Sequence, residues 1–384
     1  MTNKQTIWEY KQLSSLGSFS KGVGISKADI VPQGAPCIRY AEIYTNYNFQ
    51  LSQCLSHIPT EIAQKSTPIA YGNILFAGSG ETAEDIGKSV AYLGKDTAYA
   101  SGDIIIFTLK DKKENALFFS YYLNTAGRQQ LNKLGEGQSI VHIYPEELSK
   151  VFVPHPLVEE QHRIVEVLET WDKAIQLTRK LIEQKELQKK YLMQQLLTGR
   201  TRLKGFTEKW KTIKLGDICK IYQPNTLSTS QLTPTGFPVF GANGPIGFYK
   251  EYNHQTWQIL ITCRGATCGT VNRTFGPTWI TGNAMVINAD NSSKIEKLFL
   301  FYLLMNKNFT PLISGSGQPQ IVRKPLENLA IIIPAKIEEQ TRIAYILQKA
   351  DKEIDLLREK LVKLEEQKRG LMQILLTGKV RLNW

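Results

Sequence analysis

The segment Thr82-Ala-Glu-Asp-Ile-Gly-Lys-Ser89 ends in the Gly-Lys-Ser order of a phosphate-binding loop. Phosphate chemistry there needs consecutive backbone N–H groups curled into an anion nest, and Thr82 stands where such a loop requires its first glycine. The five histidines, His57, His142, His155, His162 and His254, are scattered and lack the spacing of paired metal ligands on a helix. Cys263 and Cys268 have no second pair to complete a zinc site. Neither a Gly-x-Ser-x-Gly elbow nor a Gly-x-Gly-x-x-Gly dinucleotide fingerprint occurs. The chain therefore reads as a non-enzymatic protein with no catalytic, metal or cofactor residues of its own. What remains for its polar groups is binding.

Charge suggests the kind of partner. Lys and Arg number 47 against 35 Asp and Glu, a formal +12, and a basic surplus suits a polyanion whose counterions are released on contact. The surplus is uneven: residues 1–157 are net zero, 158–205 carry +3, 206–336 carry +7 and 337–384 carry +2. A hydrophobic content of 42% over 384 residues is enough for packed cores and favours two or more domains. The opening MTNKQTIWEYKQLSS has no apolar signal core, and no later stretch reaches the length of a membrane span, so a soluble cytoplasmic protein without membrane contact is expected. Five cysteines in such a chain are read as free thiols.

An internal repeat supplies the elements. Glu159–Leu203 aligns without a gap to Glu338–Leu382 at an offset of 179, with 23 of 45 positions identical, where chance would give roughly three. Each copy predicts one helix of about 39 residues with a seam spaced alternately by four and three. In the first copy the seam is Ile164, Leu168, Trp171, Ile175, Thr178, Ile182, Lys185, Lys189, Leu192 and Leu196; in the second it is Ile343, Leu347, Ala350, Ile354, Leu357, Leu361, Leu364, Lys368, Leu371 and Leu375. Paired acids open each helix, and Gly199 and Gly378 offer left-handed caps. A dimerisation coiled coil is one reading of such a pair. The other is that the two copies pair antiparallel within one chain, favoured by high effective concentration.

The intervening segments echo one another through Trp8 and Trp210, a Gly-x-Gly-Gln turn at Gly137-Gln138 and Gly317-Gln318, and prolines Pro154 and Pro334. Short apolar runs, GDIIIFTL from Gly102, WQILIT from Trp257 and AMVI from Ala284, read as strands, with an amphipathic helix near Leu117–Leu131 and another near Ile295–Leu304. The expected class is α+β: recognition domains at 1–157 and 201–336, spacer helices at 158–200 and 337–378, and a tail at 379–384. The second repeat stops where the first runs into its next domain, which places Trp384 near the segment around Trp8.

With this pattern the chain resembles the specificity (S) subunit of type I restriction-modification systems. The resemblance rests on the Glu-Glu-Gln-x-Arg-Ile entries at Glu159 and Glu338, the Met-Gln-x-Leu-Leu-Thr-Gly exits at Met193 and Met372, the junction RLKGFTEKWK from Arg202, and Leu-Gly-Asp-Ile at Leu215. It covers essentially the whole chain, with Lys185 and Lys189 interrupting the first seam. It implies two target recognition domains that each read half of a split, asymmetric site in double-stranded DNA. It also implies antiparallel spacer helices that set the distance between the halves and dock two modification (methyltransferase) subunits. S-adenosylmethionine would belong to those partners, as would cleavage to a restriction subunit where the system has one.

Base readout needs side-chain donors and acceptors on loops that approach a duplex closely. In the first domain these are Arg39, Ser79, Thr82, Lys88 and Gln138; in the second they are Asn243, Arg264, Thr267, Asn283, Gln318, Gln320 and Arg323. Arg264 leads, because a guanidinium in a glycine-flanked loop can fork onto guanine. Two other readings, a nuclease or methyltransferase of unfamiliar type and a coiled-coil DNA-binding adaptor without sequence preference, would be separated by turnover of the isolated chain and by affinity for scrambled duplexes.

Overall fold

The computed structural model describes residues 8–136, 141–282, 284–315 and 317–382. The chain folds as two compact units, Met1–Thr178 with Lys360–Trp384, and Arg179–Glu359. Each copy of the repeat forms one uninterrupted helix of 39 residues, Val158–Leu196 and Ile337–Leu375. Both end where a glycine takes positive φ, Gly199 at +71° and Gly378 at +69°, a backbone region costly for any residue with a Cβ.

Within each unit two helix segments run antiparallel. In unit 1 Glu160 meets Arg381 while Asp172 meets Lys368. In unit 2 Lys185 pairs with Glu353 at 2.7 Å, Lys189 with Asp351, and Arg202 with Glu339 at 2.8 Å. Partners descend along one helix as they climb along the other. Every seam position named above is buried or half-buried, the lysines included. Lys185 and Lys189 thus do not interrupt the packing: their stems lie on the seam and their ammonium groups meet carboxylates across it.

The first unit carries a five-stranded sheet in the order Gly17–Lys21, Ile104–Leu109, Asn73–Ala77, Ser89–Tyr92, Gln50–Leu51, and a four-stranded sheet in the order Ser56–Ile58, Ala35–Ile38, Ala98–Ala100, Thr67–Ile69. The second carries a four-stranded sheet, Lys220–Tyr222, Ala284–Asn288, Ile259–Thr262, Val271–Arg273, and a three-stranded one, Gly244–Tyr249, Phe237–Gly241, Trp279–Ile280. A two-stranded ribbon leads into each long helix, Glu9–Gln12 with Phe152–His155 and Lys211–Lys214 with Ala330–Ile333.

The helix expected over Leu117–Leu131 is two helices, Ala116–Leu123 and Arg128–Asn132, and the first is not amphipathic. All eight of its residues are buried, because strands Asn73–Ala77 and Ser89–Tyr92 cover one side and the long helices another. Its counterpart in unit 2, Lys297–Met305, is buried along Phe299–Leu304.

The repeated motif docks these inner helices. Gln161, fully buried, accepts the N–H of Asn115 at 2.9 Å, and Asn115 in turn caps Ala116–Leu123. Gln340, also fully buried, accepts the N–H of Glu296 at 2.8 Å, the residue that caps Lys297–Met305. Glu160 and Glu339 are buried too, each held by both prongs of a guanidinium, Arg381 and Arg202. Those arginines lie over the rings of Trp8 and Trp210, at 5.3 and 5.6 Å. A Cβ on Gly378 would sit 3.0 Å from Trp8, so the cap glycine also makes room for the indole. Trp384 lies outside the described residues.

A lysine charge sits at the same place on the seam in each unit, buried in unit 1 and half-buried in unit 2. Lys368 is 5% exposed, pairs with Asp172 and lies over the rings of Phe49 and Tyr121, whose hydroxyl donates to Asp172 at 2.5 Å. Desolvation holds its pKa below the usual lysine range despite the partner. In unit 2 the same arrangement is Lys189, Asp351 and Tyr302, with the hydroxyl 2.6 Å from Asp351. Removing one partner strands a charge, so Asp172→Ala should destabilise by about 3–5 kcal/mol. The double variant Asp172→Asn, Lys368→Met keeps an acceptor for Tyr121 and should retain most of the stability. Urea unfolding of the full chain checks both; equal losses would place the effect in packing rather than charge.

Candidate nucleic-acid interface

In unit 2 the loops converge. The strand Ile259–Thr262 is buried throughout and delivers the chain to Cys263-Arg264 at its end. Gly265, at φ +84° with open space where a Cβ would stand, turns the loop outward, and its N–H donates to the Pro319 carbonyl at 3.0 Å. That bond and the bridge between Arg264 and Gln320 bring two separate loops together. Asn243 joins them from a third: its amide donates to the Thr267 hydroxyl at 2.9 Å while its Oδ1 accepts from Thr262 at 3.0 Å. Arg264, Thr267, Asn243, Gln318 and Gln320 are all exposed. Among the described residues no carboxylate pairs with Arg264.

Arg323 stands three residues beyond Gln320, at the start of the helix Arg323–Glu327. Its Nε donates to Glu327 at 2.7 Å, which lays the side chain along its own helix while leaving it 63% exposed. Asn283 lies outside the described residues.

Unit 1 uses several of its candidates internally. Lys88 is half-buried and its ammonium donates to the carbonyls of Tyr44 and Tyr47, at 3.2 and 2.8 Å. Burial, reinforced by nearby Arg128, holds its pKa below the ordinary lysine value. Its ammonium is thus already engaged within the domain. Thr82 closes its own turn, donating to Asp85 at 2.9 Å and accepting the Asp85 N–H at 3.2 Å, among the exposed carboxylates of Glu81, Glu84 and Asp85. Such surroundings repel phosphate. The acids were visible in the sequence; that the turn would consume the hydroxyl was not.

Arg39 follows the strand Ala35–Ile38 and Ser79 opens the short strand Ser79–Gly80, and the segment Ser101–Asp103 bonds to both approaches, at Ile38 and at Gly78. Arg39 donates to Glu42 at 3.2 Å, and among the described residues its Nε has no partner. With Lys27, Tyr40 and Ser101 it lines a cavity of about 620 Å³. Ser79 is buried, its hydroxyl 3.0 Å from Nδ1 of His142 and its carbonyl accepting from the Tyr44 hydroxyl at 3.0 Å. His142 was not singled out as a binding residue from the sequence. Gln138 lies outside the described residues.

Among the described residues no group of three or more His, Cys, Asp or Glu side chains could hold a metal, and no helix is long and apolar enough to cross a membrane.

The arrangement has known counterparts. The model of the type I restriction-modification DNA specificity domain matches residues 6–187 and again 207–366. The MjaVIII type I restriction enzyme specificity subunit of Methanocaldococcus jannaschii is 25% identical over 358 residues, 84% of this chain and 82% of that one. The EcoprrI specificity subunit of Escherichia coli is 32% identical over 142 residues, 36% of this chain and 35% of its own. The solved S subunit of the type I system of M. genitalium has the same fold, with a TM-score of 0.66 at 18% identity and 98% of each chain covered. With two such domains filling most of its length, the chain belongs to the type I restriction-modification DNA specificity family.

Proposed function

We propose that the chain reads a bipartite, asymmetric duplex site, one half through each recognition domain, and carries modification and restriction subunits to it. Methylation and cleavage are then directed by this chain and performed by its partners, which also bring S-adenosylmethionine. The observation that carries the reading is the convergence in unit 2 of Arg264, Asn243, Thr267 and Gln320 from three loops onto one exposed patch. Donors and acceptors of differing geometry held together in this way suit base edges better than a uniform basic surface would. Gln318 and Arg323 are assigned to the surround of that patch, Arg39 to the first domain's share, and Asn283 and Gln138 stay candidates on sequence grounds.

Two dockings of one kind of partner are favoured by the helices. Leu177 and Leu356 occupy the same place in the two copies and are 57% and 55% exposed. An apolar side chain kept outward twice, in sequences otherwise half diverged, fits two copies of one modification subunit.

Methylome sequencing of a host expressing this chain with its modification subunit, against a host with the modification subunit alone, tests the proposal. A new methylated motif with two short halves and a fixed spacer is expected. Its absence, with both chains expressed, would favour the adaptor without sequence preference. Arg264→Ala should weaken specific binding by about 1–3 kcal/mol and relax one base of one half-site. A smaller salt slope with an unchanged motif would assign Arg264 to phosphate instead.

A further inference from the structure

Both units close their loops with one backbone pattern. In unit 1 the N–H of Ile143 donates to the Gly78 carbonyl at 3.0 Å; in unit 2 the N–H of Ile321 donates to the Cys263 carbonyl at 3.0 Å. A five-residue helix follows each, Pro145–Ser149 and Arg323–Glu327, anchored by buried Leu148 and Leu326. The register then sets Ser79 opposite His142 and Arg264 opposite Gln320. The place that holds an Arg–Gln pair in one domain holds a Ser–His pair in the other.

We propose that His142 reads a base in the first domain and that Ser79 is its positioning residue. The inference rests on the sequence-reading function proposed above and adds a residue to it. The Ser79 hydroxyl engages Nδ1, and among the described residues Nε2 has no partner. With the hydroxyl donating, the imidazole carries its proton on Nε2 and presents one donor, matched to an acceptor on a base edge such as a purine N7. The ring is half-buried and stacked on Tyr144, centroids 6.5 Å apart and planes 29° from parallel, while Tyr144 itself is 48% exposed. Ser79 is fixed in turn. Tyr44 holds its carbonyl, and a Cβ on the next residue, Gly80, would lie 2.9 Å from the Tyr44 hydroxyl. A donor aimed by a locked neighbour is what a specific contact requires.

The test is the methylated motif produced by the full chain with its modification subunit. His142→Ala should cost about tenfold in discrimination at one base pair, in the half opposite to the one altered by Arg264→Ala. Ser79→Ala should relax the same base pair, more weakly, because the imidazole is freed rather than removed. His142→Gln, which copies the chemistry of Gln320, keeps a hydrogen-bonding side chain in case the alanine variant does not fold, and should change the preferred base at that position. If the wild-type chain yields no bipartite motif, the function proposed above fails. If it yields one that His142→Gln and Ser79→Ala leave unaltered, or if every site loses methylation evenly, His142 is not a reader.

Discussion

A carboxylate near the start of each long helix, Glu160 or Glu339, is buried to within 2% of complete removal from solvent. A charge in that position is tolerable only with a counter-charge and full hydrogen bonding. The structure supplies both from the residues just beyond the end of the other helix: Arg381 for Glu160, Arg202 for Glu339. Satisfying either carboxylate therefore requires the start of one helix to lie beside the end of the other, which is the definition of an antiparallel pair. The tryptophan that opens each domain lies against the same guanidinium, so the domain enters its helices at a fixed place.

The residues next in line extend this constraint. Gln161 and Gln340 sit one position after the carboxylates and bind the capped N-termini of the inner helices, tying each domain's core to the pair. Further along, Asp172 and Asp351 each bind a lysine of the opposite helix and a tyrosine of the domain's inner helix. A polar contact at one place on an apolar seam sets its register, since a slip strands the charge. The polar residues that dock each domain lie on the long helices, just beyond their ends or at the caps of the inner helices, and none of them is a candidate reader. The loops are free to differ between the domains, and they do.

Architecture was more legible in the sequence than the interface. The 179-residue offset and the four-three spacing marked both long helices, because periodic burial leaves a periodic pattern. The Glu-Glu-Gln entries were visible as a repeated motif, yet their partners Arg202, Trp8 and Arg381 lie 137 to 221 residues away, and a single sequence does not pair such positions. The inner helix Ala116–Leu123 misled for a local reason: a helix covered on more than one side loses the polar stripe that marks amphipathicity. For Lys88, composition shows a cation near a glycine loop but not that its ammonium turns inward onto carbonyls.

Net charge divides the two domains in a way that their loops help to explain. Residues 206–336 carry +7 and residues 1–157 carry none. On the function proposed here, the sequence-independent attraction to phosphate then falls mainly to the second domain, whose patch includes Arg264, paired with no carboxylate among the described residues. In the first domain Lys88 and Arg128 are spent on the carbonyls of Tyr44, Tyr47 and Glu84, and the neighbouring loop is acidic. A domain so built gains little from phosphate and must take its share of recognition from neutral, positioned groups. Neutral hydrogen bonds are worth less to a non-specific complex than to a matched one, because a mismatch leaves them unpaired without a compensating ion release. On that function, positioned hydrogen-bonding groups in one domain and a basic patch in the other add discrimination while adding little indiscriminate affinity.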